Sequence, residues 1–216
     1  MSAPKNGHLY RETMGEAIAN SISHGIGMLL SIAGLVVLVV WAAGSGNGWH
    51  LVSFSIFGGT LVLLYLASTL YHSLPMPRVK QAFKIIDHSA IFLLIAGTYT
   101  PFMLVHLRGP WGWSILGIIW ALAILGILMK VFYISKFRKI SVALYVFMGW
   151  LGIIAFKEMF AQVPFLSLTL LVSGGLSYTL GLAFYGWRKL PYHHAVWHIF
   201  VIGGSTFHYL AIWYSL

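Results

Sequence analysis

The chain has no cysteine, and only four of its 216 residues are acidic. Without cysteine it can form neither a disulfide nor a thiolate–metal bond, so any metal must be held by histidine or carboxylate side chains. Charged residues make up 8% of the chain, whereas a soluble domain has roughly 25%. Hydrophobic residues make up 59%. This composition excludes an ordinary soluble protein and indicates an integral membrane protein whose length suits one domain, residues 1–216.

The few charges are mostly positive: thirteen Lys and Arg residues give a net charge of +9. In a soluble protein such an excess would suggest nucleic-acid binding. Here the basic residues lie in short loops between apolar segments, where they set the membrane topology and contact anionic lipid. We therefore predict anionic lipid headgroups as partners at the cytoplasmic loops, and no nucleic acid. The sequence does not predict an oligomeric state.

Seven apolar runs approach the roughly 20 residues that a helix needs to cross a bilayer. They lie at Ser21–Ala43, Leu51–Ser73, Phe83–Leu107, Trp113–Tyr133, Ile140–Phe156, Phe165–Trp187 and His194–Tyr214. The fifth run is the weakest because it is short and continues into Lys157 and Glu158. Pro101 should kink the third span. The prediction is an all-α membrane protein, a bundle of seven transmembrane helices.

The distribution of basic residues predicts the orientation of this bundle. Eleven of them fall in one set of alternating segments, and only Arg108 and Lys157 fall in the opposite set. By the positive-inside rule the N-terminus is cytoplasmic and the C-terminus lies outside. Residues 1–20 then form a short cytoplasmic segment. The same asymmetry supports an odd number of spans, because a miscounted helix would destroy the alternation.

Five chemically active side chains lie inside or at the edges of these apolar runs: Ser68, His72, Asp87, His194 and His198. Ionisable groups at membrane depth are costly and usually mark a functional site. Ser68 and His72 are four residues apart, as are His194 and His198. This spacing places each pair about 40° apart on one helix face, one turn apart along the axis.

The predicted topology brings these side chains to one membrane face. The second span ends in the cytoplasm with His72, the third begins there with Asp87 in its first turn, and the seventh begins there with His194 and His198. All lie within about two turns, roughly 11 Å, of the cytoplasmic edge. A single histidine near a helix end is more often an interfacial or hydrogen-bonded residue than a ligand. Three imidazoles with a carboxylate nearby, however, suit Zn2+ with one position left open for water.

The same residues resemble the motifs of a known family. Ser68-x3-His72, the stretch from Asp87 to Pro101, and His194-x3-His198 are similar to those of the hemolysin III family, as is the segment from Glu16 to His24. This family is the bacterial branch of the progestin and adipoQ receptors, within a wider group that includes alkaline ceramidases.

The resemblance implies seven helices with an inward N-terminus, a location in the bacterial inner membrane, and zinc held by His72, His194 and His198. Members of the family have been linked to hemolysis, lipid-hormone sensing, and ceramide or phospholipid hydrolysis.

Asp87 and Ser68 are the candidate catalytic residues. Asp87 could act as general base on zinc-activated water, fix a histidine tautomer, or be the fourth ligand of a structural zinc. Ser68 could donate to an oxyanion or bond the carbonyl four residues earlier. We expect a zinc-dependent hydrolase that cleaves an acyl amide or ester bond of a membrane lipid at the cytoplasmic leaflet. The alternative is a non-enzymatic sensor, pore or ion-coupled transporter with a structural zinc.

Other polar residues near these motifs have weaker assignments. Glu16, Asn20 and His24 share one helix face at four-residue spacing, where they could border the pocket entrance or serve in capping and interfacial solvation. His88 and His193 adjoin motif residues but point about 100° away from them. We expect supporting or interfacial roles for both rather than ligation.

Overall fold

The computed structural model describes residues 12–134 and 136–215, and within those ranges the regular structure is entirely helical. The helices are α1 Met14–Gly44, α2 Gly48–Ser73, α3 Pro77–Pro101, α4 Pro110–Tyr133, α5 Arg138–Trp150, α6 Phe156–Gln162, α7 Phe165–Gly186 and α8 His193–Trp213. Of the predicted cytoplasmic segment, residues 1–11 lie outside the described part of the chain.

Seven helical segments within the described ranges are long and apolar enough to cross a membrane, which confirms the predicted fold class. Six of them are α1 to α4, α7 and α8, with α3 extended to His106. The remaining span, Arg138–Gln162, is composite: α5 and α6 are joined by the 3-10 segment Leu151–Ala155. The prediction ended this span too early, at Phe156. The helix continues through Lys157 and Glu158 because a charged pair near a span end can reach the interface.

The first helix also begins earlier than its apolar run. Thr13 and Glu16 form a capping box, in which each side chain accepts the backbone N–H of the other residue. These bonds satisfy N–H groups that a helix start leaves free, so α1 begins at Met14 rather than Ser21. As a result, Glu16, Asn20 and His24 lie on the buried face of α1.

The third span changes its hydrogen-bonding pattern at the proline that the sequence singled out. α3 ends at Pro101, and Phe102–His106 form a π-helical turn. Proline has no N–H to continue the ladder, and its ring crowds the preceding turn. Nearby, Trp120 donates to Thr100, so a neighbouring helix covers this break.

The helices pack so that α2 contacts α1 and α3, while α8 contacts α1 and α7. Small residues allow the close approach of α7 and α8: a Cβ atom on Gly204 would lie 2.7 Å from the ring of Tyr178. The composite span α5–α6 packs less closely against α7 than α8 does. A cavity of about 250 Å³ remains inside the bundle, lined mainly by α3, α5, α7 and α8 and also by residues of α1, α2 and α6.

Candidate metal centre and its cavity

Three histidines converge at one end of the bundle, where α2 ends and α3 and α8 begin; we call this the site end. A ligand nitrogen from each of His72, His194 and His198 lies within 4.8 Å of the other two. The ring centroids of His194 and His198 are 4.7 Å apart, and that of His72 is 5.1 Å from His194 and 5.3 Å from His198. This histidine triad could hold a metal ion.

Local helix geometry places the three rings. His72 occupies the last turn of α2, and His194 and His198 occupy the first two turns of α8. Because residues four apart face the same side of a helix, both α8 rings point toward the end of α2. The sequence spacing predicted this convergence, and the structure brings the rings together as expected.

Hydrogen bonds orient two of the rings. The Nδ1 atom of His72 lies 2.9 Å from Oε1 of Glu12, and that of His198 lies 2.9 Å from Oγ of Ser23. The Nε2 atom of His72 is buried and has no hydrogen-bond partner among the described residues. Bonds of this kind to one ring nitrogen fix the tautomer that leaves the other nitrogen free to bind a metal. The donor set therefore fits a metal that accepts three imidazoles.

Glu12 is a site residue that the sequence analysis missed. Besides contacting His72, it accepts a hydrogen bond from Asn20 and lies 3.6 Å from the ammonium of Lys80. Burial alone would raise the pKa of Glu12, but the hydrogen bond and charge of His72, with Asn20 and Lys80, lower it below its ordinary value. No local pattern could have revealed this link, because sixty residues separate Glu12 from His72.

Asp87 lies beside the triad but outside it. Its Oδ2 atom is 3.3 Å from Nδ1 of His88, and its side chain, 15% exposed, lines the cavity. Among the described residues, the group whose ligand atoms converge contains the three histidines and not this carboxylate. The prediction of a first-turn position was wrong: α3 begins at Pro77, so Asp87 lies in its third turn. The helix includes the polar residues before Phe83 because Pro77 is a favourable first residue. The first N–H groups of a helix have no partner within the helix, so proline loses no hydrogen bond there.

Ser68 also faces the cavity. Its side chain is buried and forms part of the cavity wall. The neighbouring Thr69 and Ser73 donate to the carbonyls four residues earlier. Both roles considered for Ser68, this local bond and donation to an oxyanion, stay predictions. Its place on the cavity wall would bring Ser68 into contact with a molecule bound there.

His24 lies closer to the histidine triad than the sequence indicated, since the sequence suggested only a place at the pocket entrance or a role in capping and solvation. Its ring stacks on that of His198, with centroids 3.4 Å apart and planes 13° apart, and it also lines the cavity. Both of its nitrogens are buried, and residues 12–134 and 136–215 offer them no hydrogen-bond partner. The four-residue spacing from Glu16 through Asn20 was the available signal. Glu16 itself serves in the capping box and accepts from the N–H of Tyr192.

The other histidines near the motifs are held by backbone carbonyls. The Nδ1 atoms of His88 and His193 lie 2.9 Å and 3.1 Å from the carbonyl oxygens of Lys84 and Phe184. Neither belongs to the converging group of described residues, and the supporting or interfacial roles expected for them stay predictions.

The cavity extends from the triad deep into the bundle. Along α3 and into the π-helical turn, it is lined from Asp87 to Phe102, which is fifteen residues farther along the chain or about 22 Å of helix. Polar groups gather at the site end, whereas most of the remaining wall is aliphatic and aromatic, as at Ile91, Leu94 and Leu168. One leaflet accounts for about half of the roughly 30 Å hydrocarbon core, so the cavity is long enough for a lipid tail.

Comparison with known proteins agrees with these features. A family model described as "Haemolysin-III related" matches residues 13–209. "Hemolysin-3" of Bacillus cereus is 49% identical, with 91% of this chain and 90% of the relative covered. The "Hemolysin-3 homolog" of Bacillus subtilis (strain 168) is 51% identical, with 90% and 91% covered. The human "Monocyte to macrophage differentiation factor" is 29% identical over 98% of this chain and 88% of its own length. The chain is therefore a multi-pass membrane protein that belongs to the haemolysin III family.

Proposed function

We propose that this protein is a zinc-dependent hydrolase that cleaves an acyl amide or ester bond of a membrane lipid at the cytoplasmic leaflet of the bacterial inner membrane. The observation that carries the proposal is the histidine triad at the end of a long apolar cavity. A zinc ion in this site would polarise a carbonyl group and supply hydroxide from water at neutral pH.

The number of converging ligands favours a catalytic over a structural zinc. Structural sites normally close the coordination sphere with four protein ligands, whereas catalytic sites keep one position for water or substrate. Three histidines converge among the described residues, and Asp87 stands apart from them on the cavity wall. The alternative, a sensor, pore or transporter with a structural zinc, requires Asp87 to complete the sphere.

Three side chains around the triad have roles in the proposed reaction. The carboxylate of Asp87 accepts a proton from the attacking water and returns it to the leaving group. The Oγ–H of Ser68 donates a hydrogen bond to the oxygen that becomes negative when the carbonyl is attacked. Glu12 keeps the proton of His72 on Nδ1, which would leave Nε2 free to hold the metal. The apolar wall of the cavity holds the acyl chain and excludes water from it.

Removal of the metal tests this function directly. Protein purified without chelators should contain about one zinc per chain and release fatty acid from at least one member of a panel of ceramides and phospholipids. A zinc chelator should abolish release, and added zinc, unlike added magnesium, should restore it, because imidazole ligands suit zinc and oxygen ligands suit magnesium. Full zinc occupancy without release from any amide or ester lipid would contradict the proposal.

Orientation can be tested independently of chemistry. We expect a reporter active only outside the cytoplasm to give signal when fused after residue 216, and none when inserted in the loop between α2 and α3. The reason is the excess of basic residues at the site end. Both fusions should be compared at equal expression. The opposite pattern would place the histidine triad on the outer face and contradict action at the cytoplasmic leaflet.

A further inference from the structure

Three basic side chains gather at the site end beside the cavity, on three successive helices. Lys84 belongs to α3, Lys130 to the last turns of α4, and Arg138 to the first turn of α5. Lys130 is the most unusual because it is only 2% exposed. Its ammonium lies 5.8 Å from the ring centroid of Tyr145, and the positive charges of Arg138 and Lys84 both act on it.

No acidic residue in the described ranges forms an ion pair with these three cations. The chain has four acids in all. Glu12 pairs with His72 and Lys80, and Asp87 with His88. Glu16 serves the start of α1, and Glu158 lies in α6, at the opposite end of the bundle. Positive charge that is buried and not neutralised is costly, so a bound anion would stabilise this arrangement.

The start of α5 adds to the positive potential. Its N-cap residue, Phe137, makes no side-chain capping bond. The N-cap side chain therefore satisfies none of the first N–H groups of α5, and the helix dipole places partial positive charge at the turn that contains Arg138. A cationic side chain at a helix N-terminus is normally unfavourable, because the helix dipole is positive there. An anion bound to both Arg138 and the helix N-terminus would offset this repulsion. Arginine binds phosphate in a bidentate manner, and lysine binds it as a point charge.

Two tyrosines connect the cations to the cavity. The guanidinium of Arg138 lies 4.9 Å from the ring centroid of Tyr185, whose ring is 5.9 Å from that of His194. Tyr145, beside Lys130, donates a hydrogen bond to the carbonyl of His88. Both tyrosines line the cavity. Lys130 and Arg138 are therefore each separated from the cavity by one tyrosine side chain.

We propose that Lys84, Lys130 and Arg138 bind the phosphate group of an anionic phospholipid whose acyl chain enters the cavity. The inference rests on the proposed function for its lipid occupant and narrows the substrate class from any acyl lipid to an anionic phospholipid. Headgroup binding itself requires neither zinc nor turnover, and it can therefore be measured separately from both.

The test measures binding to the full-length protein in neutral detergent. Short-chain phosphatidylglycerol, phosphatidylcholine and inorganic phosphate are titrated in turn. We expect phosphatidylglycerol to bind most tightly, with affinity that falls as salt increases. Lys130→Gln and Arg138→Gln should each weaken its binding by roughly ten- to a hundredfold, the range for loss of a charged hydrogen bond. Lys189→Gln removes an exposed charge at the same end and should change affinity less than about twofold.

Two further variants keep the result interpretable. Lys130→Met retains an apolar stem, so it separates loss of the charge from loss of packing if the glutamine variant folds poorly. The double variant His194→Ala, His198→Ala should lose zinc but still bind phosphatidylglycerol, which separates the headgroup site from hydrolysis. Equal affinity of parent, Lys130→Met and Arg138→Gln for phosphatidylglycerol would overturn the proposal. If inorganic phosphate bound as tightly as phosphatidylglycerol, the site would recognise free phosphate, and the proposal that its ligand is a lipid headgroup would be wrong.

Discussion

Replacement of His72, His194 or His198 by alanine is expected to abolish stoichiometric zinc binding, with zinc per chain falling from about one toward zero. Each imidazole supplies a large share of the coordination energy, and two remaining nitrogens cannot hold zinc tightly. Elemental analysis of protein purified without chelators measures the effect. His50→Ala is the matched control, because it removes a histidine of α2 near the opposite end of the same helix.

A graded variant tests the geometry more finely. Glu12→Gln leaves the triad intact but replaces the charged acceptor at Nδ1 of His72, so zinc affinity should fall by about ten- to a hundredfold without complete loss. Competition against a chelator of known affinity gives this number. Full zinc occupancy in the double variant His194→Ala, His198→Ala would contradict the metal site, as would an absence of metal from the parent protein.

Substitution of Asp87 by asparagine should separate the two classes of function. Asparagine preserves the shape of the side chain but cannot accept the proton, so lipid acyl hydrolysis should fall by roughly 10²–10⁴-fold while zinc occupancy is retained. Ser68→Ala should reduce turnover less, since its hydrogen bond is one of several contributions to the stabilisation of the oxyanion. Fatty acid release, zinc content and melting temperature are measured on both variants.

A structural zinc predicts the opposite outcome for Asp87→Asn. If the carboxylate completed a closed coordination sphere, its loss would weaken zinc binding and lower the melting temperature, and the parent protein would show no hydrolysis. Zinc occupancy has greater weight than the assay in this comparison, because it does not depend on the choice of substrate. Lost zinc together with lost stability would reject the hydrolase proposal.

The membrane helices were largely predictable, because the energetics of spanning a bilayer act on local sequence. Each crossing needs a continuous apolar run, and all seven runs ended within a few residues of a helix end at one or both termini. The errors lie where polar residues continue a helix. Thr13 and Glu16 extend α1 before its apolar run, Pro77 starts α3 early, and α6 continues through charged residues. Capping bonds stabilise such polar turns at the ends of the helices, but polar residues do not lengthen the apolar run from which a span is predicted.

The convergence of the histidine triad was also predictable, since it depends on spacing within two helices and on the alternation of spans. Contacts made by residues distant in sequence could not be obtained in this way. Glu12 reaches His72, Ser23 reaches His198, and the His24 ring stacks on His198, all through the packing of α1 against its neighbours. Hydropathy and periodicity describe one helix at a time and carry no information on which helix faces pack together.

The sequence by itself determined the membrane class, the seven spans and the chemistry of the three imidazoles, because each follows from composition or from spacing along a single helix. The tertiary structure alone decided that Asp87 lies outside the converging group of described residues and that Ser68 lines the cavity. It also decided that Lys130 and Arg138 lie against two tyrosines of the cavity wall, without an acidic partner in the described ranges. These features depend on the rotation and depth of each helix relative to the others. Packing of side chains between helices sets both, and sequence spacing leaves them open.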